Sequence, residues 1–190
     1  MKNIFEVRWH GRGGQGAKTA SQFLAEAALD AGKHIQAFPE YGPERAGAPM
    51  RAYTRISEKP INIHSSVTNP DVVVVIDPTI LDVTDVTEGL GKDGILLVNV
   101  ADTPESIRSK TGFKTGKVAT CDATKISLDC LGVPMPNTPM LGALLKTLPV
   151  VPMDMLIEQV KHKFLKKIGE EQTNANIKAI KTAFDQVKVG

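Results

Sequence analysis

Six residues near the amino end, Gly11, Arg12, Gly13, Gly14, Gln15 and Gly16, have the types and the spacing to hold a phosphate. Gly11, Gly13 and Gly16 stand at G-x-G-x-x-G. Glycine lets a chain turn tightly, lets a ligand approach the backbone, and lets a helix pack close to a strand. The first N–H groups of a helix starting here have no intrahelical partner and point into the turn, beside the positive end of the helix dipole. Such a turn can receive an anion, typically a phosphate. Arg12 and Lys18 could add positive charge. The same glycines also suit plain close packing, with the N–H groups turned to water or another subunit. Spacing alone leaves both readings open.

The elements around the turn fit it. Ile4 to Trp9 has strand composition, and from Gly16 a helical period takes over, with Ala20, Phe23, Leu24, Ala27, Ala28 and Ala31 on one stripe. Gly32 stands where a left-handed cap is expected, and the apolar run Ile35 to Phe38 follows. Strand, glycine turn, helix and strand in this order predict an α/β, Rossmann-like, doubly wound domain with a mostly parallel sheet.

A second candidate binding segment runs from Pro39 to Pro49. Its three prolines and two glycines exclude a regular element, and it lies past the carboxyl end of a strand, where parallel sheets bind ligands. Tyr41, Glu44 and Arg45 are its candidate contact residues. The alternative is a solvated loop in which Glu44 and Arg45 balance each other.

Met50 to Ile56 reads as a strand, pairing with Ile61 to His64 across a turn near Lys59-Pro60. Asp71 to Asp77 encloses five consecutive β-branched residues, the mark of a strand buried on both faces. A helical turn at Thr79 to Val83, a strand at Gly94 to Val100, a short helix at Pro104 to Lys110 and a strand at Val118 to Cys121 follow. A helix over Ala123 to Leu131 stops at Gly132. Asn137-Thr138-Pro139 has the composition of a helix start, with Asn or Thr as cap. Two C-terminal helices complete the chain. The first carries Met153, Leu156, Ile157, Val160, Phe164 and Ile168 on one stripe, with Lys161, Lys163, Lys166 and Lys167 on the other face, either solvated or meeting an acidic partner. The second groups Ile177, Ile180, Phe184 and Val187. No repeat or linker divides residues 1–190, which read as one domain.

Composition narrows the function. With 23 basic and 21 acidic residues the chain lacks the charge of a nucleic-acid binder. Two cysteines, Cys121 and Cys130, are too few for a disulfide framework or an iron–sulfur cluster held by this chain alone. No stretch spans a bilayer and no leader is evident, which predicts a cytoplasmic protein without membrane contact. C-x-x-C, H-E-x-x-H and G-x-S-x-G are absent, and Lys18-Thr19 falls one position late for a Walker A loop. His10 beside the turn could contact a ligand or only pack. No catalytic set is complete, so the residues describe part of an enzyme. A free-standing dinucleotide oxidoreductase is the rival reading, with Glu40 on a ribose hydroxyl.

Arg8 to Ala17, Phe38 to Pro49, Pro70 to Pro78 and Pro136 to Ala143, in this order, resemble the gamma subunits of pyruvate:ferredoxin oxidoreductases, within the wider 2-oxoacid:acceptor oxidoreductase family. The resemblance covers nearly the whole chain. Where many relatives carry a second basic residue after the arginine, this chain has Ala46, so no role needing two adjacent basic residues carries over. The resemblance implies a heteromeric enzyme, inactive as this chain alone, that converts pyruvate, coenzyme A and oxidised ferredoxin to acetyl-CoA, CO2 and reduced ferredoxin. It implies alpha, beta and delta-type partner subunits that carry thiamine diphosphate and the iron–sulfur clusters, with ferredoxin an indirect partner. Coenzyme A would lie near Gly11 to Gly16 and Tyr41 to Arg45, with no cofactor bound by this chain alone and no catalytic or metal-binding residue in it. A related enzyme acting on 2-oxoglutarate, 2-oxoisovalerate or indolepyruvate fits the same pattern.

Overall fold

The computed structural model describes residues 4–40 and 47–190. Strand β1 (Ile4–Arg12) alternates. Val7 and Trp9 enter the core, while Glu6, Arg8, His10 and Arg12 share the opposite face. Trp9 is fully buried and donates its indole N–H to Thr54 Oγ1 at 3.0 Å. Helix α1 (Ala17–Asp30) buries Ala20, Phe23, Leu24, Ala27 and Ala28 of the predicted stripe, while Ala31 is its half-buried C-cap, and Gly32 after it has a φ of 79°.

Strand β2 (His34–Glu40) does not lie beside β1, because β3 (Pro49–Ser57) runs antiparallel between them. This corrects the expected hairpin. Alternation identifies β3 as a strand but not its partners, and both its edges are taken by β1 and β2. Residues 58–71 form no strand. They lie where Arg55 donates to the carbonyls of Ile63 and Ser66, at 3.4 Å each, from the polar side of the sheet.

The parallel part of the sheet grows from the other edge of β1 through β4 (Val72–Val75), β5 (Ile95–Asn99) and β6 (Lys117–Cys121). A two-residue strand, β7 (Lys188–Val189), then pairs antiparallel with β6. The order is β2-β3-β1-β4-β5-β6-β7, a mixed sheet whose centre is parallel. β4 is buried throughout, as its run of valines requires.

Helices α1, α3 (Ala123–Leu131), α4 (Asn137–Thr147) and α5 (Met153–Gln186) cover the face that carries Val7, Trp9, Val74 and Leu97. A 3-10 turn (Pro78–Asp82) and α2 (Pro104–Thr111) cover Val73, Val75, Leu96 and Val98 on the other. Every residue of α4 except Lys146 is buried, so it is apolar nearly all round. The two expected C-terminal helices are the halves of α5, broken at Gly169 (φ 80°, ψ 172°) without a connecting loop. Among the described residues no helix is long and apolar enough to cross a membrane.

Candidate functional site

The glycine turn sits where β1 leaves the sheet, and its residues divide into scaffold and wall. Gln15 is the scaffold's centre. Its Oε1 accepts the Arg12 backbone N–H at 2.8 Å, and its Nε2 donates to Asp77 Oδ2 at 2.6 Å. Asp77 follows β4 and caps the 3-10 turn, accepting the Thr79 N–H at 2.9 Å and the Thr79 hydroxyl at 2.6 Å. Arg12 adds an ion pair to Asp77 at 3.3 Å, and donates to Thr79 Oγ1 at 2.9 and 3.1 Å and to the Gly47 carbonyl at 3.2 Å. Burial opposes ionisation of Asp77, but the Thr79 and Gln15 donors and the Arg12 charge outweigh it and hold its carboxyl below the usual range. The guanidinium that spacing predicted as an anion contact is thus engaged in tying the turn to the end of β4.

The wall is backbone. Gly13 donates its N–H to the Ala48 carbonyl at 3.1 Å. Gly14 and Gly16 have φ of 96° and 80°, which only glycine adopts without strain. A Cβ at Gly11 would lie 3.2 Å from the Ala17 Cβ, so this glycine lets α1 approach the strand. The first helical bond runs from Ala20 N–H to the Gly16 carbonyl, leaving the N–H groups of Ala17, Lys18 and Thr19 without helical partners.

These N–H groups border a groove of about 570 Å³ between the turn, the segment joining α3 to α4, and α5. Its floor is largely apolar, with Met50, Val133, Met135, Phe164 and Ile168. Phe164 meets Phe23 of α1 edge-to-face at 5.1 Å, and Lys163 pairs with Glu26, so the first half of α5 is fastened to α1 as one wall. Asn137 closes the end nearest the turn. It is 4% exposed, it lines the groove, and its side-chain amide has no hydrogen-bond partner among the described residues. A Cβ at Gly16 would lie 2.5 Å from its Nδ2.

Asn137 is the residue that sequence reasoning misplaced. Read as a helix cap, it lies inside α4, whose N-cap is Pro136 with no side-chain bond. Nearby Asn176 is engaged, accepting from the Thr138 hydroxyl at 2.8 Å. Of the predicted site residues, the structure gathers Gly13, Gly14 and Gly16 at the groove and Arg12 and Gln15 behind it. Tyr41, Glu44 and Arg45 lie outside the described residues. Glu40 is at the end of β2, separated from β1 by β3, and its two carboxylate oxygens accept from the Tyr53 and Ser66 hydroxyls. It is not placed to hold a ribose at the turn.

His10 faces the other side of the sheet. It is 2% exposed, and its Nε2 accepts the Arg8 Nε–H at 3.0 Å. Burial and then the charges of Arg8 and Arg51 push its pKa down to about 3. Its ring is expected to keep neutral-imidazole NMR shifts down to about pH 5, and a midpoint near the ordinary value of about 6.5 would contradict this. Because the unfolded chain then binds a proton that the folded chain excludes, His10 makes stability fall as pH drops from about 6.5 toward its folded value. Cys121 is inert in another way, since burial and then Asp122 push its thiol up to about 12. Among the described residues no cluster of three His, Cys, Asp or Glu could hold a metal ion.

The family model for pyruvate ferredoxin/flavodoxin oxidoreductases matches residues 6–186. The chain is 53% identical to pyruvate synthase subunit PorC of Thermotoga maritima over 187 residues, 98% of this chain and 96% of the relative. It is 47% identical to the pyruvate/ketoisovalerate oxidoreductases common subunit gamma of Thermococcus kodakarensis, over 98% of each chain. The crystal structure of the Thermotoga maritima pyruvate oxidoreductase subunit PORC superposes with a TM-score of 0.89 at 49% identity, covering 100% of this chain and 99% of that one. The turn, the groove and the sheet around them are therefore those of a member of the pyruvate ferredoxin/flavodoxin oxidoreductase family, to which this chain belongs.

Proposed function

We propose that the chain is the gamma subunit of a multi-subunit pyruvate:ferredoxin oxidoreductase, and that its groove receives coenzyme A. In that reaction pyruvate loses CO2, its acyl carbon passes to the coenzyme A sulfur, and two electrons leave singly to ferredoxin. Thiamine diphosphate and the iron–sulfur clusters belong to the alpha, beta and delta-type partners in this reading, as two cysteines in the chain, one deeply buried, accord with. The subunit's part is to bind and orient. The N–H groups of Ala17, Lys18 and Thr19, with the Lys18 ammonium, suit phosphate oxygens. The apolar floor suits the pantetheine arm. The Asn137 amide carries the proposal: on a residue otherwise buried, it faces the groove and has no protein partner among the described residues, so its hydrogen bonds are available to a ligand there.

The keto acid would be bound by other subunits. The name of the Thermococcus kodakarensis relative, common to pyruvate and ketoisovalerate enzymes, supports a subunit that does not select the keto acid. The chain alone is expected to be inactive.

The test is the Michaelis constant for coenzyme A in the assembled complex. Asn137→Asp, which sets a negative charge against a phosphate, is expected to raise it roughly tenfold or more. Asn137→Ala is expected to raise it about threefold. An unchanged constant for both variants in an intact complex rejects the coenzyme A role. Arg45, assigned from its loop and from the resemblance, is tested by Arg45→Ala in the same way.

A further inference from the structure

The second candidate lies on the opposite face of the sheet, where the polar residues of β1 point. His10 on β1 is the cross-strand partner of Arg51 on β3, and Arg51 is the partner of Glu40 on β2. Side chains so paired stand about 5 Å apart at their Cβ atoms. They open onto a cavity of about 260 Å³, closed on its far side by Ile80 and Thr84.

The acceptors in this cavity are already engaged by protein donors, while several of its own donors are not. His10 Nε2 accepts from Arg8, and each Glu40 oxygen accepts one hydroxyl, from Tyr53 and from Ser66. A neutral ring that accepts at Nε2 carries its proton at Nδ1, and that N–H has no partner among the described residues. The Thr84 hydroxyl and the Arg51 guanidinium are likewise without a carboxylate partner there, although Arg51 lies against the Tyr53 hydroxyl. Arg8 is 3% exposed and donates to the carbonyls of Val86 and Glu88, at 3.0 and 2.6 Å, with Asp85 and Glu88 as the nearest carboxylates. Its charge is solvated by backbone and stays positive behind His10.

We infer that this cavity is a binding site for a small oxyanion, held by the Arg51 guanidinium, the His10 Nδ1–H and the Thr84 hydroxyl, separate from the groove at the glycine turn. A cation would meet the charges of Arg8 and Arg51, with Glu40, already accepting two hydroxyls, as the only carboxylate among the described residues that line the cavity. An uncharged ligand would leave the Arg51 guanidinium without a direct ion pair, since Glu40 on the neighbouring strand is bonded to the Tyr53 and Ser66 hydroxyls. Burial and the two arginines keep His10 neutral, so its single donor stays fixed in place as pH varies around neutrality.

The experiment titrates the full chain, its histidine rings labelled with nitrogen-15, with acetate, inorganic phosphate and chloride at matched ionic strength. The His10 Nδ1 signal is expected to shift and saturate with acetate or phosphate, and the stronger of the two names the class of oxyanion. Arg51→Gln should weaken that binding roughly tenfold or more, and Thr84→Val, a milder change at the cavity rim, about threefold. Lys18→Ala, in the groove on the other face, should leave it unaltered. Equal, non-saturating shifts with all three salts, meaning an adventitious ion only, would overturn the site. So would titration in folded Arg51→Gln or Thr84→Val indistinguishable from the parent. Loss of the response in Lys18→Ala would move the anion to the turn and overturn it as well.

Discussion

Gly142→Ala is expected to destabilise the protein severely for the addition of a single methyl group. A Cβ at Gly142 would stand 1.9 Å from the carbonyl oxygen of Ile180, with the Ile180 carbonyl carbon at 2.8 Å. Both are backbone atoms of α5, so no rotamer change relieves the contact. Helix α4 has no free side to retreat into, because Met140, Leu141, Leu144 and Leu145 are buried around it. The cost is about 3 kcal/mol or more, as for severe overpacking of a core. For a chain of this size that lowers the melting temperature by roughly 6–12 °C, measured calorimetrically. Gly132→Ala is the control. Gly132 caps α3 with a φ of 73° and open space around it, so only backbone strain of about 1 kcal/mol is expected. Equal losses for the two variants would show that the α4–α5 approach is not as tight as the geometry requires.

The second large effect falls on the turn. Gly16 combines a φ of 80° with the Asn137 side chain 2.5 Å from where a Cβ would be. Gly16→Ala therefore strains the start of α1 by roughly 1–2 kcal/mol and also pushes the Asn137 amide out of the groove. In the assembled enzyme the Michaelis constant for coenzyme A is expected to rise roughly tenfold or more, with the turnover number at saturation little changed. Gly14→Ala separates strain from displacement, since Gly14 has a φ of 96° but nothing near its missing Cβ. It should move the constant by less than about threefold. If the two variants behave alike, the turn acts through its backbone shape and not through Asn137.

Local pattern was the legible part of this fold. Helix α3 runs over the expected Ala123–Leu131 and stops at Gly132 in the left-handed region, as composition predicts; the structure adds Asp122 as its cap, accepting the Lys125 N–H. The valine run of β4 and the stripe of α1 follow from burial on two faces or on one. What alternation could not supply was partnership. Met50 to Ile56 has the pleat of a strand whichever neighbour it takes; β2 precedes it by one short segment, while β1 lies beyond α1 and β2. The same limit applies to the site. The glycine spacing locates the turn, but the hold of Gln15 on Asp77 links residues 62 positions apart. The opening of Asn137 toward Gly16 exists only once α4 has packed against α1. Nothing local distinguishes an asparagine that caps a helix from one that walls a groove.

Strand β7 also has a bearing on solution behaviour. A sheet with open sides is a template for stacking onto copies of itself. On one side of this one, Gly190 and Val118 exchange backbone bonds at 2.9 and 3.0 Å, and Arg108 donates to the Gly190 carbonyl at 2.9 Å, so residues 188–190 occupy the outer edge of β6. On the other side, β2 carries Pro39, which has no N–H to offer an incoming strand. Blunting at both rims disfavours polymerisation through the sheet. Gly190 is fixed in that hydrogen-bonded rim close to Pro104 and Glu105, so a bulky insertion at this position would prise the rim open.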